Sequence, residues 1–336
     1  MDSLLSRYDA LVCDLDGVIY RGPEPVPYAI ESVEAAGGTG VKVAYATNNA
    51  SRPPAEVAEH LRELGLTADD SAVINSSMAG ADHLARHLHE GATVLAVGGD
   101  GVRFALSDKG FRVVTGLKSE QPAAVLQGYG PKVTAQDLAH VAYAVQRGAR
   151  WVATNTDRTL PTAQGTAPGN GALIGAVREA VDVDPEVVGK PGPLMYTMAA
   201  ARLGSSAART LGIGDRLETD VAGAHAAGMD CLHVLTGVHG PTDLIAAPAD
   251  LRPRYVADDL RALHDTYDEP RRRDDGWQLG AARARLDGEG GDACLEVRGT
   301  ITGQERLRLV LAVLWEGVDM GMIDRTEAVN LWVTSK

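Results

Sequence analysis

The run Ala10-Leu11-Val12-Cys13 is short and wholly apolar, and it ends at once on Asp14-Leu15-Asp16-Gly17. A strand without polar alternation is buried on both faces, which places it inside a parallel sheet. Parallel neighbours need crossover connections, usually helices, so this stretch commits the chain to an α/β layering. In open sheets of that kind ligands bind beyond the carboxyl ends of the strands, where these two carboxylates fall. Taken alone, Asp-x-Asp-Gly is also ordinary turn chemistry.

Three further segments repeat the pattern. Val41-Lys42-Val43-Ala44-Tyr45-Ala46 reads as a second strand and ends in Thr47-Asn48-Asn49. Val187-Val188-Gly189 leads to Lys190, and Thr210-Leu211-Gly212-Ile213-Gly214 leads to Asp215, with Thr219-Asp220 just beyond. Each has a plain alternative: Thr47 as a helix cap, Lys190 as a solvated lysine, Asp220 as a charge at a helix start. Four such sets at strand ends, in one order, outweigh the alternatives. Only six of the 32 basic residues are lysines, so a lysine at this position carries extra weight.

The four segments resemble, in sequence order, the motifs of the haloacid dehalogenase superfamily of phosphotransferases. Asp14-Leu15-Asp16-Gly17-Val18-Ile19-Tyr20, Ala46-Thr47-Asn48-Asn49 and Gly214-Asp215-Arg216 are similar to its 4-nitrophenylphosphatase-like branch. That branch includes phosphatases of glycerol phosphate, phosphoglycolate, pyridoxal phosphate and nucleotides. The resemblance covers roughly the first four-fifths of the chain, more than one domain's worth.

The residues suit phosphoryl transfer. A carboxylate such as Asp14 can attack phosphorus and form an aspartyl phosphate, dividing one hard displacement into two easier ones. Asp16 would protonate the leaving alkoxide and later take a proton from water. Crowded acids repel a phosphate dianion, so a divalent cation is expected, and Mg²⁺ takes oxygen ligands. The resemblance implies the Asp14 carboxylate, the Asp16 backbone carbonyl and the Asp215 carboxylate as its ligands, with Asp220 orienting them. It also implies Thr47 and Asn48 on the phosphate oxygens, and Lys190 against the charge that develops in transfer.

Composition limits the alternatives. The formal charge of −13 argues against a nucleic-acid surface. No run approaches the roughly 18 apolar residues of a membrane span. Residues 1–7 lack a basic start followed by an apolar core, so no secretory signal is expected. Cys13, Cys231 and Cys294 are expected as buried, reduced thiols of a cytoplasmic protein.

The expected architecture is a doubly wound parallel-sheet core, an inserted α/β cap and a small C-terminal ββα-like module. Residues 1–78 and 187–268 form the core, 79–186 the cap, 269–276 a charged linker, and 277–336 the module. Helices are expected at Pro25–Gly37, Pro53–Leu64, Met78–His89, Gly192–Leu203 and Thr219–Gly228. The stretch Asn155–Gly171 reads as a long cap loop with little secondary structure, facing the leaving group by resemblance. Asn155, Asp157 and Arg158 are its candidate substrate contacts. Val97-Gly98-Gly99-Asp100-Gly101 lacks the spacing of a dinucleotide fingerprint and reads as a turn. His83, His87 and His89 read as a solvated helix face rather than a zinc site.

The expected activity is Mg²⁺-dependent hydrolysis of a small phosphorylated metabolite, glycerol 3-phosphate first, then phosphoglycolate, pyridoxal phosphate or a nucleotide. A binding or regulatory protein on the same fold would have lost Asp14, Asp16, Lys190 or Asp215, and all four are present. The tail is open to packing, regulation or homo-oligomer contacts.

Overall fold

The computed structural model describes residues 3–117, 121–162 and 164–335. Its centre is a six-stranded parallel sheet in the order Tyr255–Ala257, Asp230–Val234, Thr210–Gly214, Ala10–Cys13, Lys42–Thr47, Val73–Asn75. Ala10–Cys13 is fully buried, as an interior strand without alternation requires. From it the chain winds outward through Lys42–Thr47 to Val73–Asn75, and later returns on the other side at Thr210–Gly214. This strand is therefore the topological switch point, where open α/β sheets bind ligands. Register completes the alignment: Cys13 lies opposite both Ile213 and Tyr45. Asp14, Asp215 and Thr47 consequently emerge at one edge.

The inserted cap has its own five-stranded parallel sheet, in the order Glu186–Val187, Arg150–Ala153, Ala124–Gln127, Thr93–Val97, Arg112–Val114. Ala135–Gln146 packs on it and is started by a capping box between Thr134 and Asp137. The expected cap loop is more ordered than its composition suggested. Thr159–Thr162 and Gly165–Pro168 form an antiparallel hairpin, and helix Asn170–Arg178 begins directly after Gly169.

Other boundaries shift for local reasons. The helix expected from Pro25 begins at Ala29, because Tyr20–Arg21 and Glu24–Pro25 first close a small hairpin. The helix expected over Thr219–Gly228 is a π turn, Leu217–Val221, running into Ala222–Ala226.

The tail departs furthest from expectation. The stretch read as a linker contains an edge strand: Arg271–Arg273 pairs with Gly276–Leu279, and Ala282–Asp287 and Cys294–Arg298 complete an antiparallel sheet. Helices Gly303–Asp319 and Arg325–Thr334 follow, so the module has four strands and two helices. Cys294 is exposed on its sheet, contrary to the expectation for all three thiols.

The long tail helix has two apolar faces. Leu309 and Val313 pack on the tail sheet. Leu307, Val310, Leu311 and Leu314 belong to the same apolar cluster as Leu244, Ile245 and Val256 of the core. Trp315 Nε1 donates to Leu244 O at 2.8 Å, and Arg252 pairs with Asp319 at 2.6 Å. Fully burying one such aliphatic side chain is worth about 1.5–3 kcal/mol. Truncation after Asp268 is therefore expected to lower the melting temperature and solubility sharply. An unchanged melting curve for the truncated chain would show that the shared cluster contributes nothing.

Candidate active site

Asp14 stands one residue past the central strand, and its backbone N–H donates to Ile213 O at 2.8 Å. Its Oδ1 accepts from Lys190 Nζ at 2.5 Å, and the same ammonium reaches Asp220 Oδ1 at 2.7 Å. All three groups are almost wholly buried. Burial pushes the Asp14 carboxyl up, against the pull of Lys190. Burial opposes the Lys190 charge as well, but Asp14 and Asp220 together outweigh it and hold the ammonium protonated.

Asp220 is fully engaged. Its Oδ2 accepts from the N–H groups of Asp215 and Arg216 at 3.3 and 3.1 Å. Asp215 is different: Oδ2 accepts from Val238 N at 2.7 Å, but Oδ1 is buried without a hydrogen-bond partner. A buried carboxylate oxygen left unpaired is costly, and a hard cation would satisfy it. One oxygen from each of Asp14, Asp215 and Asp220 lies within 4.8 Å of the others. An all-oxygen acid set of this kind fits a magnesium-type ion. Burial, then Asp220, raises the Asp215 carboxyl, which is the electrostatic strain that a bound cation would relieve.

Two glycines make this crowding feasible. Gly17 has φ +85°, and a Cβ there would lie 2.5 Å from Asp215 Oδ2. Gly214 leaves the room that the Asp220 side chain fills.

Asp16 sits on the same turn and faces the cleft. Its side chain is exposed to the cleft, and partial desolvation there raises its carboxyl against Lys190 and Arg216, the direction a proton donor requires. Thr47 Oγ1 accepts from Asn49 N at 3.1 Å, which leaves the hydroxyl hydrogen for a ligand in the cleft. Asn48 was expected to hold phosphate with its amide. Its side chain instead clasps the lysine backbone: Oδ1 accepts from Lys190 N at 2.8 Å and Nδ2 donates to Lys190 O at 3.2 Å.

The cleft between core and cap has a volume of about 650 Å³. Asp157 lines it from the cap side and faces the Asn48 side chain. Asn155 also reaches the cleft wall, but it is buried and its amide is engaged with backbone. Arg158 stands apart from these two. It is exposed outside the cleft lining, although its neighbours Asp157, Thr159 and Leu160 face the cleft. Sequence reasoning missed the cationic rim. Arg52, Lys132 and Arg216 line the cleft and form no ion pair among the described residues. Arg216 directly follows Asp215, which was the available signal. Such a rim attracts a phosphate dianion.

Residues 11–112 match the family model of the haloacid dehalogenase-like hydrolases, and residues 187–263 match a second model, HAD-hydrolase-like. A D-glycerol 3-phosphate phosphatase of Mycobacterium tuberculosis is 40% identical over 321 residues, covering 94% of this chain and 88% of that protein. This chain belongs to the haloacid dehalogenase-like hydrolase family. It is an enzyme of the phosphatase branch. An acid sugar phosphatase of Staphylococcus epidermidis is 32% identical to this hydrolase over 76% of the chain and 96% of that protein. Among solved structures, the glycerol phosphate phosphatase of Mycobacterium tuberculosis in complex with magnesium superposes with a TM-score of 0.84. It is 38% identical and covers 94% of this chain and 93% of that one. A p-nitrophenyl phosphatase of Archaeoglobus fulgidus reaches a TM-score of 0.70 at 29% identity, over 76% of this chain and 98% of its own. Among the described residues of this hydrolase, no helix is long and apolar enough to cross a membrane.

Proposed function

We propose that this hydrolase removes phosphate from D-glycerol 3-phosphate, with magnesium as its metal and an aspartyl phosphate as its intermediate. One observation carries the substrate assignment. The match to the mycobacterial D-glycerol 3-phosphate phosphatase runs over 94% of the chain, tail included, whereas the acid sugar phosphatase match covers 76%. In this reading residues 1–78 and 187–268 carry the chemistry and residues 79–186 cover it.

Asp14 attacks phosphorus, Lys190 holds the nucleophile and offsets developing negative charge, and the Thr47 hydroxyl holds a phosphate oxygen. Asp16 gives its proton to the departing alkoxide, then accepts one from the water that cleaves the intermediate. Asp14, Asp215 and the Asp16 carbonyl would hold the magnesium ion, with Asp220 bracing them, and the ion would screen the dianion from these acids. Asp157, on the cap side, would accept a hydroxyl of the glycerol. Closure of the cap over the cleft would keep bulk water from the phosphoenzyme until hydrolysis is set up.

Phosphate release from glycerol 3-phosphate, phosphoglycolate, pyridoxal phosphate and a nucleoside monophosphate tests this directly. Glycerol 3-phosphate is expected to give the highest kcat/KM. A preference of roughly tenfold for another ester, about 1.4 kcal/mol in transition-state binding, would reassign the substrate. Chelation should stop turnover and Mg²⁺ should restore it, whereas Ca²⁺, with longer and looser coordination, should inhibit. Turnover undiminished by exhaustive chelation would remove the metal from the account.

The leaving group tests Asp16. An alkoxide needs a proton, whereas 4-nitrophenolate departs with less help. Asp16→Asn is expected to slow single-turnover transfer from glycerol 3-phosphate by roughly 10²–10⁴, and transfer from 4-nitrophenyl phosphate much less. Equal losses on both esters would rule out the general-acid role.

A further inference from the structure

We infer that Asn155 is a positioning residue, the point at which the seated cap sets Asn48 and, through it, Lys190. This rests on the phosphatase reading above and adds a positioning role for a cap side chain at the cleft wall.

The geometry is a chain of amides crossing from cap to core. Asn155 is 4% exposed, and its Nδ2 donates to Asn48 O at 2.8 Å. Its Oδ1 accepts from Asp157 N at 3.2 Å. Behind it, Asn170 Nδ2 donates to Asn155 O at 2.8 Å and to Gln127 O at 3.4 Å, at the end of the Ala124–Gln127 strand. In front of it, the Asn48 side chain is joined to Lys190 N and Lys190 O. Gly189 lets the two layers meet: its missing side chain leaves room for Thr154 O of the cap and Asn48 Oδ1 of the core. An orientation held by the cap sheet is thus passed through two side-chain amides to the residue whose ammonium holds the nucleophile.

A second contact fixes the other end of the same core segment. Gly101 N donates to Ser51 O at 3.1 Å. A Cβ on Gly101 would collide with Ala50 O and Arg52 O, and one on Gly99 with Ser51 O. The glycine-rich start of the cap helix Asp100–Asp108 therefore seats the cap on residues 50–52 of the core. Backbone approaches that closely only where no side chain intervenes. Residues 48–52 are held between two cap segments, and errors in seating reach Lys190. A misplacement on the order of 1 Å far from the chemistry can cost roughly 10²-fold in rate.

The test compares wild type, Asn155→Asp, Gly101→Ala and Asp157→Ala by steady-state kinetics on glycerol 3-phosphate, phosphoglycolate and pyridoxal phosphate. Asn155→Asp keeps size and acceptor oxygen but loses the N–H aimed at Asn48 O. It is expected to lower kcat by roughly 10²-fold, with KM held within about threefold and the ranking of the three esters unchanged. Gly101→Ala lifts the other contact without touching Asn155 and should give the same signature. Asp157→Ala should instead change the ranking. Circular dichroism confirms folding of each variant, and an unfolded Asn155→Asp leaves Gly101→Ala to decide. A wild-type kcat in either clasp variant, or an altered ester ranking in Asn155→Asp, overturns the inference while leaving the phosphatase reading intact. Absence of phosphate release by wild type from every ester tried would instead remove the phosphatase reading itself.

Discussion

Asp14→Asn is expected to lower turnover by roughly 10⁴-fold or more, the scale on which loss of a covalent nucleophile acts, while the protein stays folded. Asparagine keeps the shape and can still accept from Lys190, but its amide oxygen does not attack phosphorus. The fold has reason to tolerate the change. Asp14 is a buried carboxylate disfavoured by desolvation and by its neighbours Asp220 and Asp215. Neutralising it removes a repulsion, and Lys190 keeps its pairing with Asp220. The metal-free variant should therefore melt at or above the wild-type temperature. Phosphate release near the wild-type rate from folded Asp14→Asn would exclude the covalent route.

Lys190→Met is expected to produce the largest loss of stability of any single change in the site. The ammonium is the counter-charge to both Asp14 and Asp220, each almost completely buried. Breaking a buried ion pair by removing one partner typically costs about 3–5 kcal/mol, because the other charge is left uncompensated. Two carboxylates would be left here. Methionine fills similar space, so packing is not the variable. Turnover should vanish with the charge. Magnesium should raise the variant's melting temperature more than the wild type's, since a divalent ion at Asp14 and Asp215 restores positive charge to the cluster. Thermal unfolding of both proteins with and without Mg²⁺ measures this. A variant as stable as wild type in chelator would show that the three-group cluster is not held together by charge.

The central sheet and the acids at its edge were legible because their signals are local. Ala10–Cys13 and Thr210–Gly214 are continuous apolar runs that end on carboxylates, and parallel register brings those carboxylates side by side at the sheet edge. Lys190 was legible because lysine is scarce in this chain. The amide chain was not. Asn48, Asn155 and Lys190 meet across more than one hundred residues of sequence, and Asn155 stands in a stretch whose composition reads as a turn. The Gly169-Asn170-Gly171 run conceals a helix start for the same reason. In the tail, Arg271–Arg273 looked like a linker because an edge strand carrying only charged side chains shows no alternation. Its Arg272 is anchored by Glu316 on the tail's long helix, 44 residues away.

Trapping the intermediate tests the central claim most directly. Wild type and Asp14→Asn are mixed with glycerol 3-phosphate and Mg²⁺, quenched in acid within one turnover, digested and examined by mass spectrometry. The account predicts one added phosphoryl group on the wild-type peptide that contains Asp14, appearing before free phosphate and lost in hydroxylamine. It predicts none on the variant. Release of phosphate in a single turnover with no phosphoryl group at Asp14 at any time would contradict it.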